Sequence, residues 1–331
     1  MKDRAYVLPI ALCALALAHA ASPGRHYPAG TAIREAAITF DDLPVVSVTQ
    51  LDAAARREIT DKLLRAVVSN KVPAVGFVNE YGLYGFERDP GERPPDQDGV
   101  ALLRMWLDAG LELGNHTFAH TDLHVAPLSA FEEDIVRGEA VTGELLQQKG
   151  TRLRYFRHPY LHTGRDIATK QELGSFLSER GYRIAPVTVD SEDYLFAAAY
   201  SKAAEEHDLR LMRRIGAEYL RYTERVLDYS ERLSKTLFGR EIRQVLLLHA
   251  NALNSDYFDG LARMMSKRGY QFVPLDEALS DDAYRSADKY TGGEALNWLD
   301  RWAVTRGVKK AENALDAFPE VPVFVAKAAG V

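Results

Sequence analysis

The hydrophobic and polar positions of the chain alternate between two periods. Short apolar runs fall at 36–40, 74–78, 111–113, 154–156, 182–188, 244–248 and 270–273. Their short length predicts buried strands. Between them lie longer amphipathic stretches. In 51–70, Leu51, Ile59, Leu63, Leu64 and Val67 fall on one helical face. Helices are also predicted over 100–109, 128–149, 171–180 and 256–268, with Gly110 and Gly150 as stops. From 202 to 237 an apolar stripe persists over many turns against a face of Arg and Glu, which predicts one long helix or two in series. Residues 281–331 add an extension with a Trp-bearing helix over 294–305. Alternating strands and helices predict an α/β fold with a parallel sheet, either closed as a barrel or doubly wound.

Composition changes this picture little. A chain of 331 residues, 47% hydrophobic and 27% charged, can bury a large core. Its net charge of −6 argues against non-specific nucleic-acid binding. The N-terminus changes it more. Lys2 and Arg4 precede an apolar run over 5–18 and the small-x-small sequence Ala18-His19-Ala20. This reads as a secretory signal peptide over 1–20, with a Pro/Gly-containing lead-in over 21–31. The run is short for a membrane anchor, so an exported, periplasmic or secreted protein without stable membrane insertion is expected. The single cysteine, Cys13, lies inside that run. The mature chain would hold no disulfide, and any metal would be bound by His, Asp or Glu.

The candidate chemistry collects just past the predicted strands. Asp41-Asp42 follows the first, His116 and His120 the third, and Arg157-His158-Pro159-Tyr160 the fourth. Asp190 to Tyr194 follows the fifth and His249 the sixth. In parallel α/β folds these ends share one face, where active sites are built. His116 and His120, four apart, would share one side of a helical turn and reach one ion; two ordinary polar residues at a helix start give the same spacing. Asp41-Asp42 reads as a helix cap or as a ligand beside a base. Arg157 is a surface charge or the orienter of a carboxylate. Asp193 and His249 make a candidate orienter–acid pair. His124, His158 and His162 read as structural or substrate-facing, and His26 and His207 have no partner in this scheme.

These residues resemble the motifs of the polysaccharide deacetylases, the NodB-homology group of carbohydrate esterases. The likeness runs over about 32–279. Thr39-Phe40-Asp41-Asp42, His116-Thr117-Phe118-Ala119-His120, Arg157-His158-Pro159-Tyr160, Asp190-Ser191-Glu192-Asp193-Tyr194 and Leu247-Leu248-His249 follow the family's five motifs in order. The resemblance implies a distorted (β/α)7 barrel over 32–280, here with a helical insert at 202–237 and a C-terminal extension at 281–331. It implies that Asp42, His116 and His120 hold a divalent metal, usually Zn2+, with Co2+, Ni2+ or Mn2+ as substitutes. Asp41 would be the base, positioned by Arg157, and His249 the acid, tuned by Asp193. The Tyr160 backbone N–H would steady the oxyanion, and Tyr194 and Leu247 would wall the acetyl pocket.

The implied activity is removal of acetyl groups from an acetylated glycan. N-deacetylation is the first expectation, with an O-acetyl esterase or a non-catalytic glycan-binding protein as alternatives. Leu43 stands where the family has glycine, Tyr194 where it has tryptophan, and the 202–237 insert separates the last two motifs. All three are expected around the substrate groove. The glycan and the oligomeric state are not legible in the sequence.

Overall fold

The computed structural model describes residues 34–308 and 317–331. The expected signal peptide over 1–20 and lead-in over 21–31 lie outside the described residues. Eight strands form one sheet: β1 Arg34–Leu43, β2 Val75–Val78, β3 Glu112–Asn115, β4 Tyr155–Phe156, β5 Arg183–Ile184, β6 Val189–Asp190, β7 Gln244–His249 and β8 Tyr270–Phe272. Every pairing is parallel, in the order β5-β4-β3-β2-β1-β7-β6, with β8 beside the first residues of β1. β1 is central and buried over most of its length, which suits the apolar residues Ala36, Ala37, Ile38 and Phe40 at its middle.

Helices cover the sheet: α1 Ala53–Ser69, α2 Gln97–Asp108, α3 Leu128–Arg137, α4 Ala140–Gln148, α5 Ile167–Glu179, α6 Asp193–Glu205, α7 Leu209–Phe238, α8 Ala252–Lys267 and α9 Leu275–Ala278. The C-terminal stretch adds α10 Trp298–Thr305 and α11 Val323–Ala329. Phe40 and Leu248 of the sheet, Trp106 of α2, Phe196 of α6 and Tyr219 of α7 meet in the largest core cluster. Among the described residues no helix is long and apolar enough to cross a membrane.

The ring is a distorted barrel, as expected, but the predicted strand over 182–188 is two strands. Pro186 lacks an N–H and interrupts the ladder. On one side of it the Ala185 N–H donates to Phe156 O at 2.8 Å. On the other the Thr188 N–H donates to Val245 O at 3.0 Å. The chain thus leaves one edge of the sheet and joins the other. The barrel is closed there by covalent chain, with no β5–β6 pairing among the described residues.

The 202–237 stretch resolves into two helices in series. It takes in the end of α6 and most of α7, and Asp208 caps α7 by accepting from Leu211 N at 2.8 Å. The predicted helix over 128–149 is also two helices. α3 stops at Gly138, and α4 restarts with the buried Glu80 carboxylate accepting from Val141 N at 3.0 Å and Thr142 N at 2.7 Å.

Gly138 has a steric reason to be glycine. A Cβ there would lie 2.7 Å from Thr117 C and 2.8 Å from Phe118 N, inside the backbone that follows β3. Gly138→Ala is therefore expected to push that backbone away and destabilise the protein by about 1–3 kcal/mol. Denaturant unfolding measures this, and a wild-type midpoint would contradict the packing described.

Candidate active site

Register assembles the site. β1 and β7 pair with Asp41 opposite His249, and β6 and β7 pair with Asp190 opposite Leu247. β3 and β4 pair Asn115 with Phe156, so His116 and Arg157 emerge together. In an ideal strand Asp41 and Asp42 would face opposite sides. Here Asp42 takes a left-handed φ of 59°, the β1–β2 register slips between Phe40 and Leu43, and both carboxylates line one cavity. The cavity is about 330 Å³ and is also lined by His116, His120, His158, Tyr160, Leu161, Tyr194, His249 and Ala295.

Arg157 is fully buried. Its Nη1 donates to both oxygens of Asp41, at 3.2 and 3.1 Å, its Nη2 to Thr39 Oγ1 at 3.0 Å and its Nε to Ala185 O at 2.8 Å. Burial pushes the Asp41 pKa up to about 6, against the lowering effect of Arg157. Among neighbouring charges, His249 lowers it and Asp42 raises it. The carboxyl is a stronger base than usual, yet stays ionised at neutral pH.

Asp42, His116 and His120 converge. Asp42 Oδ1 is buried, has no hydrogen-bond partner, and lies 3.7 Å from the Nε2 of each histidine. His116 Nδ1 meets Arg157 O at 2.8 Å. A carbonyl can only accept, so Nδ1 carries the proton and Nε2 offers its lone pair. Burial holds the His116 pKa well below the usual imidazole range, and burial lowers that of His120 as well. Two neutral imidazoles and one unsatisfied carboxylate oxygen make a donor set that fits a divalent transition metal.

The two histidines do not share a helical turn. Their rings are 4.9 Å apart because the backbone between them loops, with Thr117 at φ 64° and His120 at φ 50°. Partners remote in sequence hold this loop. The Phe118 N–H donates to Asp134 O at 2.9 Å, and the Ala119 N–H donates to the Asp134 carboxylate at 3.2 and 3.1 Å. Asn115 Oδ1 accepts from Thr117 N at 2.7 Å, and Asn79 Nδ2 donates to His116 O. The sequence reading missed these supports. The only local signal was a buried asparagine just before each loop, at a strand end.

Opposite the ligand set, His249 Nδ1 meets Asp193 Oδ1 at 2.7 Å. The other Asp193 oxygen accepts from His249 N at 2.9 Å, Asn251 Nδ2 at 3.2 Å and Asn254 Nδ2 at 2.7 Å. Burial opposes charging His249, but Asp193, Asp42 and Asp41 outweigh it and raise its pKa to about 10. His249 is thus a protonated donor at neutral pH, with Nε2 3.9 Å from Asp42 Oδ2. Tyr160 and Tyr194 are half-exposed at the rim, and Leu247 is buried in the wall.

The sequence-predicted residues therefore come together, with two corrections at the margin. Leu43 does not face the groove; it is buried in the core over Gly76, where a Cβ would meet its Cδ2 at 2.4 Å. The long insert does not line the cavity. α7 stands behind the dyad, where Tyr219 donates to Asn254 Oδ1 at 2.8 Å. The wall residues that sequence reasoning missed are Leu161 and, from the C-terminal extension, Ala295.

A second group, Asp122, His124 and His162, also comes together. Its two imidazole rings are stacked 3.8 Å apart and only 8° from parallel, and His162 Nδ1 is already 2.7 Å from Asp122 Oδ1. Lone pairs in parallel planes do not meet at one ion, so the group is an Asp–His hydrogen bond capped by a second ring. His158 lines the cavity, and burial lowers its pKa to about 3.

Residues 29–175 match the polysaccharide deacetylase family. The deacetylase match includes Asp41, Asp42, His116, His120, Arg157 and Tyr160; Asp193 and His249 lie beyond it. Several solved structures are similar over most of this chain. The polysaccharide deacetylase Bc1974 from Bacillus cereus is 15% identical over 73% of this chain and 91% of its own, with a TM-score of 0.49. A family 4 carbohydrate esterase from Streptomyces lividans, in complex with acetate, is 18% identical over 75% of this chain and 97% of its own, at 0.46. A mutant, with restored enzymatic activity, of a family 4 pseudoenzyme from Bacillus anthracis is 14% identical over 75% of this chain and 68% of its own, at 0.49.

Removing the Arg157 guanidinium would leave Asp41 buried and unpaired. Arg157→Ala is expected to cost about 3–5 kcal/mol of stability. Arg157→Ala combined with Asp41→Asn should cost less than the single change, because no buried charge is then stranded. Denaturant unfolding of the two variants checks the order, and equal losses would contradict it.

Proposed function

We propose that the protein is a divalent-metal-dependent hydrolase that removes acetyl groups from an N-acetylated polysaccharide or oligosaccharide. The observation that carries this reading is the unsatisfied Asp42 oxygen between His116 and His120, set between a buried base and a protonated acid. Asp42, His116 and His120 would hold the ion, with Zn2+ the best match to one oxygen and two imidazole donors. A divalent ion there supplies Lewis-acid polarisation of the acetyl carbonyl and eases ionisation of water.

The chain's own groups divide the proton work. Asp41, ionised and raised in basicity by burial, accepts a proton from the attacking water. Arg157 fixes its orientation through two hydrogen bonds. An amide has a poor leaving group, so the departing nitrogen needs a proton. His249 holds one, and Asp193 fixes its ring. Tyr194 and Leu247 give the acetyl methyl an apolar wall, and the Tyr160 N–H would serve the developing oxyanion. The N-terminal sequence supports export to the periplasm or beyond as part of the same reading.

His116→Ala and His120→Ala are expected to lose bound metal and acetate release together. Asp41→Asn should keep the metal, measured by elemental analysis, and lose about 100-fold or more in kcat. Full activity after chelation would overturn the reading. Acetate release from chitooligosaccharides against acetylated xylooligosaccharides separates amide from ester hydrolysis. Glycan binding without acetate release, by metal-loaded protein, would favour a binding protein instead.

A further inference from the structure

The 281–331 extension has no part in the five family motifs, yet it reaches the cavity. Its side chain Arg301, on α10, is 1% exposed, which is rare for an arginine. The guanidinium donates from Nη1 to Leu161 O at 2.9 Å and from Nη2 to Thr163 Oγ1. Its charge is met by Asp288, which accepts from Nε at 3.0 Å and lies 2.7 Å from Nη2. Lys170 of α5 ties the same strap down, donating to Asp288 Oδ2 at 2.8 Å, to Asp288 O at 3.0 Å and to Tyr290 O at 2.8 Å. The Trp298 N–H donates to Val187 O at 2.7 Å, so α10 is also fastened at the barrel seam.

What Arg301 grips is a strained turn. Tyr160 and Leu161 both take left-handed backbone conformations, φ 55° and 54°. Two such residues in succession, neither of them glycine, cost of order 1–3 kcal/mol each and persist only when the surroundings impose them. Inside the turn the bonds are Leu161 N to His158 O at 3.1 Å and His162 N to Pro159 O at 3.0 Å. Neither fixes the Leu161 carbonyl; Arg301 does. Tyr160 lines the cavity, with its ring edge-on to His120 at 4.4 Å. Leu161 and, from the extension itself, Ala295 line the cavity too.

We propose that Arg301 is a positioning residue: through Leu161 O and Thr163 it holds the strained Tyr160–Leu161 turn against the cavity, and so makes the C-terminal extension part of the catalytic unit. This rests on the deacetylase reading above. A guanidinium is needed because two acceptors on the turn and one carboxylate on the strap lie in three directions, which a planar fork meets and a single ammonium does not. The consequence is kinetic. If the turn relaxes, the oxyanion partner moves, while the metal ligands on β1 and in the His116–His120 loop stay.

The test uses the full-length, zinc-loaded protein. Arg301→Lys keeps a cation beside Asp288 but breaks the fork. Its kcat for acetate release is expected to fall about 10- to 100-fold, as for a displacement of about 1 Å at a reacting group. Zinc content should remain that of the wild type and KM should move little. Arg301→Ala should fall further, and millimolar guanidinium added to it should restore part of kcat. A wild-type kcat in Arg301→Lys overturns the proposal, as does loss of zinc in step with activity. If Arg301→Ala does not fold, Arg301→Lys alone decides. Wild-type protein that releases no acetate from any glycan would instead defeat the deacetylase reading, so the two failures are distinct.

Discussion

Everything at the mouth of this barrel depends on one buried ion pair. Arg157 and Asp41 face each other where water does not reach, and two such charges are tolerated only if every polar atom is met. Arg157 answers with bonds to Asp41, to Thr39 and to the Ala185 carbonyl. Those partners lie on β1 and at the end of β5, so a single side chain spans the opening of the ring. Its own carbonyl fixes His116. The pair thus settles the protonation of a base and of a candidate ligand together. On the far side, Asp193 does the same for His249 through four hydrogen bonds.

The two carboxylate systems pull in opposite senses. Burial makes Asp41 a better proton acceptor, while Asp193 makes His249 a willing holder of a proton. Separate environments for two titrating groups facing one cavity are how a site runs base and acid chemistry at one pH. The ligand set lies between them, and its Asp42 shares the cavity with both. The aromatic rim, Tyr160 and Tyr194, is half-exposed and sets two aromatic rings beside this polar floor.

Much of this was legible in the sequence, for a physical reason. In a parallel sheet the strand ends share one face, so polar residues after apolar runs must meet; Asp41, His116, Arg157, Asp190 and His249 did. What was not legible depends on contacts between distant segments. No local spacing says that Gly138 must let a helix end touch the Thr117–Phe118 backbone, or that Asp134 holds that loop. The His116–His120 spacing suggested a helical turn, but two left-handed residues fold it otherwise. Leu43 looked like a groove residue and is core, because Gly76 leaves room for it. Arg301, more than a hundred residues from the turn it holds, and Ala295 gave no signal beyond a Trp-bearing amphipathic stretch.

The seam at Pro186 has a meaning for the protein in crowded solution. A sheet with unpaired borders offers templates for another chain to add a strand, a standing route to aggregation. Here the open edges are β5 and β6, each two residues long, and β8, three residues long, and the chain joining β5 to β6 passes directly from one to the other. None of these edges is long enough to seed an intermolecular ladder. The irregularity that keeps the barrel from closing by hydrogen bonds therefore also keeps its open edges from being found by a neighbour.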